Sequence, residues 1–186
     1  MSSLRRIEDP AVEPVTAEEV RLATRINDDS EDALLELWIK TAREQAEDYL
    51  RRSLLTQKWE LTFDKFPEMP ASIPRAPLVS VESVSYYDYT AAQVQIPLSS
   101  FIVDTSSEPG RIGFAYGEMW PNVQLRPMSA VRIEFTAGGA ASAPGVEAAV
   151  RDAVILWCSW RYENRTAEEA APKQFYDLLG PRRMWA

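Results

Sequence analysis

Thr56-Gln57-Lys58-Trp59-Glu60-Leu61-Thr62-Phe63 is where the chain changes its period, and that change decides the fold. Trp59, Leu61 and Phe63 alternate with Lys58, Glu60 and Thr62, the spacing of two expected of a half-buried strand. Upstream, Leu35, Trp38, Ala42, Ala46 and Tyr49 recur at steps of three and four, which marks one face of a long helix. Downstream, helical spacing returns only at Val146, followed by Val150, Ala153, Val154, Trp157 and Trp160. The order helix, strands, helix predicts an α+β chain. Its helical core, two long helices plus short terminal helices, is interrupted by an inserted antiparallel β lobe of about five strands.

The segments expected are a mobile N-terminal arm over 1–14, helical core over 15–55, β lobe over 56–137, and helical core with a docking segment over 138–186. The arm carries prolines and scattered charges without a period. Thr16-Ala17-Glu18-Glu19 reads as a capping box, with Val15 stapled onto Val20, opening a short helix through about Arg25. Asn27-Asp28-Asp29-Ser30 supplies the next N-cap candidates. The outer face of the long helix bears Glu31, Glu36, Lys40, Arg43, Glu44, Glu47 and Arg51, with Glu36–Lys40 and Glu47–Arg51 at pairing distance in sequence. Arg51-Arg52 at its end suits the helix dipole.

Within the lobe, Pro67, Pro70, Pro74 and Pro77 exclude regular helix and confine any strand to a short or edge position. Val79, Val81, Val84 and Tyr86 form the next strand, the step from Val81 to Val84 pointing to a bulge. Residues 88–92 read as a turn and 93–96 as the returning strand. Phe101 and Val103 lead to Ser106-Ser107-Glu108-Pro109-Gly110, a tight turn with Gly110 at positive φ, then to a strand over 111–114. Residues 115–127 are irregular, and Val131, Ile133 and Phe135 make a last strand closed by Gly138-Gly139. The expected connection is a meander. Phe175, Leu178 and Leu179 allow a helical turn or two before the stop pair Gly180-Pro181.

Composition narrows the function. The chain has 186 residues, no histidine, one cysteine and a formal charge of -8. A chain of this size buries roughly 70% of its unfolded surface without staples. Cys158 sits in an apolar run and reads as a small buried hydrophobe. The acidic balance argues against a general grip on nucleic acid, leaving only local basic spots at Arg51-Arg52 and Arg182-Arg183. The opening residues lack an apolar leader core and no run reaches membrane-spanning length, so neither secretion nor membrane contact is expected.

No catalytic, cofactor-binding or metal-binding residue is expected. Histidine and cysteine clusters for zinc or iron are absent, and Asn27 to Asp32 lacks the glycine and distal glutamate of a calcium loop. Glu134 and Asp104 are the carboxylate pair a glycosidase would need, but Glu134 alternates with Ile133 and Phe135 and is expected to face solvent. Tyr86, Tyr87, Tyr89 and Trp120 either stack a sugar or partner, which would make a monomeric carbohydrate- or receptor-binding module, or fill the core of a small sheet. Met184-Trp185, beside the last residue, reads as a docking anchor.

Several stretches, taken in order, are similar to one family. They are Glu13-Pro14-Val15-Thr16, Asp32-Ala33-Leu34-Leu35, Leu55-Thr56-Gln57-Lys58-Trp59, Pro77-Leu78-Val79-Ser80-Val81, Glu108-Pro109-Gly110-Arg111-Ile112, Trp120-Pro121, Trp160-Arg161-Tyr162-Glu163-Asn164-Arg165 and Leu178-Leu179-Gly180-Pro181. Together they resemble the head-tail connector (adaptor) proteins of tailed bacteriophages and gene transfer agents, the gp6-like and phiE125 gp8-like group. The resemblance implies a structural virion protein, not an enzyme, assembled in the host cytoplasm as a dodecameric ring under the portal. It implies as partners the portal protein, a tail-side connector or stopper protein, and further copies of the chain. DNA would pass through without specific binding. On that view Phe175, Leu178, Leu179, Met184 and Trp185 dock on the portal, ordering as they bind. Glu36, Glu44 and Glu47 are candidates for an acidic channel lining, and Tyr87, Tyr89 and Trp120 for a tail-side or partner surface.

Overall fold

The structure is a computed structural model that describes residues 2–165 and 171–184. The chain forms two compact units, Met1–Pro10 with Thr56–Gly138 and Ala11–Leu55 with Gly139–Ala186. The second is helical and the first is built of strands.

In the helical unit, α1 spans Ala17–Thr24 and begins at the expected box: the Glu19 N–H donates to the Thr16 hydroxyl oxygen at 3.2 Å and Glu19 accepts from the Thr16 N–H at 2.8 Å. Helix α2 spans Asp32–Leu50, and the position before it, Glu31, makes no side-chain cap. The expected caps do not serve: Asp28 instead accepts from the Ser30 N–H at 3.0 Å, satisfying a bend one turn too early. Helices α3, Ala148–Glu163, and α4, Lys173–Leu179, complete the unit. Leu35, Ile39, Ala42, Ala46, Val150, Val154, Cys158, Phe175 and Leu179 share one apolar core. Each large side chain there contributes about 1.5–3 kcal/mol. Burial pushes the Cys158 thiol up to about 12, as befits a hydrophobe.

The chain leaves and re-enters this unit at adjacent points. Leu55 and Ala140 form a parallel bridge, and the N–H groups of Gly139 and Ala140 donate to the carbonyls of Ser53 and Leu54, each at 3.1 Å.

The strand unit contains β1 (Ser2–Glu8), β2 (Gln57–Phe63), β3 (Ala71–Ile73), β4 (Leu78–Tyr87), β5 (Gln93–Ile96), β6 (Phe101–Asp104), β7 (Gly110–Phe114) and β8 (Val131–Ala137). They make two antiparallel sheets, of order β1-β2-β8-β4-β5 and β3-β7-β6. The eight strands among the described residues exceed the expected five, and the meander is corrected: β8 lies between β2 and β4. Its Ile133 and Phe135 are fully buried, as a central strand requires.

Residues 2–8, expected to be a mobile arm, are the edge strand β1. The backbone ladder to β2, Leu4 packed against the core of the unit, and ion pairs hold them there. Glu60 on β2 is buried and pairs with Arg5 at 3.0 Å and Arg132 at 2.7 Å, while Lys58 pairs with Glu8 at 2.7 Å. Its side chains, Ser2-Ser3-Leu4-Arg5-Arg6-Ile7-Glu8, carry too little apolar alternation for periodicity to find it. The prolines act as expected, for β3 is three residues long and lies at a sheet edge. The bulge is present between Val81 and Ser83, with a second between Leu78 and Ser80. Gly110 is required for space rather than for positive φ: a Cβ there would lie 2.5 Å from the Leu78 Cβ.

Candidate functional site

Of the four aromatic residues expected to meet a partner near the lobe's loops, Tyr86 and Trp120 face inward instead. Tyr86 is buried and meets Phe66 edge-on at 5.6 Å. Trp120 stacks on Phe66 at 4.7 Å, contacts Phe114 at 5.0 Å and Phe101 at 5.7 Å, and its indole N–H donates to the Pro67 carbonyl at 2.8 Å. It anchors the loop after β7 and is not a free partner surface. Arg126 covers the Tyr87 ring at 3.7 Å. Of the aromatic set only Tyr89 stands out, 70% exposed.

The same loop presents apolar side chains that sequence reading passed over: Tyr116, Met119 and Met128 are all largely exposed. Gly117 between the first two has φ +83° and nothing within 4 Å of where a Cβ would be, so this turn projects freely. The available signal was large apolar residues in a stretch with no period. The strand unit and the helical unit each carry a shallow groove. One of about 490 Å³ is lined by Met69, Pro70, Ile102 and Phe114, and one of about 410 Å³ by Leu37, Trp38, Trp157 and Trp160.

The carboxylates do not form a reactive pair. Asp104 lies in the three-stranded sheet and Glu134 in the five-stranded sheet. Asp104 is held far below the usual carboxylate range by the Ser106 hydroxyl and by Arg111, whose guanidinium donates at 2.6 Å. That environment favours a permanent anion and suits no proton-transfer role at neutral pH.

On α2, Glu36 is exposed and Glu44 half-buried, but Glu47 is 2% exposed. Glu47 accepts the Leu54 N–H at 2.8 Å and pairs with Arg43 at 3.0 Å, so it is a core residue and no channel-lining one. Arg43, expected on the outer face, is fully buried and also reaches Glu13 at 2.7 Å. Burial opposes its charge, and the bond to Glu13 with the charges of Glu47 and Glu13 outweighs burial. Glu47 thus pairs with Arg43, one turn before it, and not with Arg51, which adopts the left-handed conformation past the helix end.

The proposed C-terminal anchor is also corrected in part. Phe175 and Leu179 are fully buried in the helical core of their own subunit. Leu178 and Met184 are half-buried, the Met184 N–H donating to the Leu50 carbonyl at 3.1 Å. Trp185 lies outside the described residues.

The described residues thus combine exposed apolar turns with a packed aromatic cluster and with carboxylates held apart in separate sheets. Residues 15–98 match the phage gp6-like head-tail connector protein family. No curated protein matches the chain by sequence. Solved structures match the fold over nearly the whole chain. A chain from the neck of an empty gene transfer agent particle, with C6 symmetry, superposes with a TM-score of 0.79 at 21% identity, over 99% of this chain and 96% of that one. A chain from the virion of a native gene transfer agent particle gives 0.79 and 21% over 98% and 96%. One from the neck of the native particle, with C12 symmetry, gives 0.73 and 21% over 99% and 96%. At that coverage the shared fold includes both the helical unit and the strand unit.

Proposed function

We propose that this protein is a structural, non-enzymatic adaptor at the head-tail interface of a tailed phage or gene transfer agent. The observation that carries this reading is the head-tail connector match across the helical start and half of the lobe. The fold of a neck subunit over 99% of the chain supports it. Copies form a ring in the neck, one face meeting the portal and the other a tail-side protein, and DNA passes through the opening. The subunit is assembled in the host cytoplasm. Glu36 and Glu44 remain candidates for the channel wall, where fixed negative charge would keep phosphates from adhering. Leu178, Met184 and Trp185 remain candidates for the portal contact. Tyr89 with Tyr116, Met119 and Met128 supplies the apolar surface for the tail-side or neighbouring subunit.

The rival reading, a monomeric sugar- or receptor-binding module, needs an open aromatic platform. Trp120 and Tyr86 are already packed against Phe66, which leaves that reading without its main residues. The test is electron microscopy and native mass measurement of the chain alone and mixed with the portal protein of its own particle. A ring seated on the portal is the expected result. A monomer that ignores the portal would overturn the adaptor reading.

A further inference from the structure

The chain passes between its two units three times, between residues 10 and 11, 55 and 56, and 138 and 139. On the helical side all three connections lead to one buried ion pair of α2. The Arg43 guanidinium, fully buried, divides its donors: Nε and Nη2 hold the two carboxylate oxygens of Glu13 at 2.7 and 3.3 Å, and Nη1 holds Glu47 at 3.0 Å. Glu47 divides its acceptors in turn, Oε2 to Arg43 and Oε1 to the Leu54 N–H at 2.8 Å. The Leu54 carbonyl then accepts the Ala140 N–H at 3.1 Å, beside the bond from the Gly139 N–H to the Ser53 carbonyl. A continuous relay thus runs from the first connection, at Glu13, through the second, at Leu54, to the third, at Ala140.

Stability does not by itself call for an arginine here. Ala42 and Ala46, on either side of it along α2, lie in the apolar core with Val150 and Val154. A buried ion pair contributes little net stability over apolar side chains of the same volume. What the pair does supply is geometry. The guanidinium fork fixes the direction of each carboxylate it holds, and the members of such a network strengthen one another. The segment bearing Glu13 is held a second time, by the bond from Nε of Arg151 on α3 to the Pro14 carbonyl at 3.0 Å. We propose that Arg43 is a positioning residue that locks the three connections into one joint, so that loosening any of them loosens the others. A load on the strand unit is then carried into α2, and through it into the core shared with α3 and α4, instead of opening one connection at a time. Glu13 is the member within reach of solvent, its side chain 30% exposed, which makes it the point where the joint opens. Every member of the joint belongs to the helical unit, so its action does not depend on which molecule the strand unit meets.

Amide hydrogen exchange, followed residue by residue in the full-length chain, tests the joint. Glu13→Gln removes the charge at the half-exposed end of the relay and leaves the Arg43–Glu47 pair and its bond to Leu54 in place. It is expected to speed exchange at Leu54, Gly139 and Ala140 at least about fivefold. None of these amides donates to Glu13, so the change reports coupling through Arg43. The Ala153 and Val154 amides, in the middle of α3, should keep their rates. Glu13→Asp, whose shorter carboxylate reaches Arg43 less well, should give a smaller change in the same direction. Glu18→Gln, at an exposed α1 position outside the relay, should give none. Unchanged exchange at Leu54 in Glu13→Gln overturns the inference, as does acceleration at Leu54 that stops short of Gly139 and Ala140. Equal acceleration at Ala153 and Val154 overturns it too, because Glu13 would then act through global stability. Each of these outcomes leaves the adaptor reading as it stands.

Discussion

At the scale of single residues, buried charge and close approach decide more than composition suggests. Removing Glu47 leaves the Arg43 guanidinium fully buried with one fewer partner and the Leu54 N–H without its acceptor. Glu47→Ala is therefore expected to lower stability by about 3–5 kcal/mol, measured by denaturant unfolding, because one member of a buried ion pair is lost. Gly110→Ala forces a Cβ into Leu78 and should lose about 1–3 kcal/mol by the same measurement. Asp104 gives a pH signature. Its folded pKa is depressed, so its contribution is present above the ordinary aspartate value of 3.8 and fades as pH falls below it. Asp104→Asn should make stability less dependent on pH below about 4, and an unchanged acid profile would refute that assignment.

Elements set the second scale, and α4 illustrates it. Phe175 and Leu179 complete the helical core, so deleting 173–186 should strongly destabilise the helical unit, each lost apolar side chain contributing about 2–5 kcal/mol. Deleting only 184–186 spares that core and should leave the melting temperature within a few degrees while reducing portal binding. Retained binding by this shorter deletion would remove Met184 and Trp185 from the contact. The elements legible in sequence were those with a local cause: the Thr16–Glu19 box, the apolar face of α2, the alternation of β2 and the bulge in β4. Those that escaped depend on distant partners. Nothing near Val131 shows that β8 must enter between β2 and β4, and nothing near Arg5 reveals the Glu60 carboxylate that draws in β1. The site was less legible still. Trp120 and Phe175 have the composition of interface anchors, and only the fold shows that their surfaces are already occupied.

At the scale of the whole molecule, the proposed role makes a direct prediction about mass. Native mass measurement of the assembled neck component should give an integer multiple of 21.0 kDa, which fixes the copy number without reference to any relative. The adjacent exit and return of the chain at Leu55 and Ala140 carries a wider consequence. Strands bridged at the mouth of an insertion hold the two ends together whatever lies beyond them, and the entropy of closing a loop grows only slowly with its length. The helical unit is in this sense a socket. Exchanging the lobe for one of another length would leave the bonds that close this socket in place.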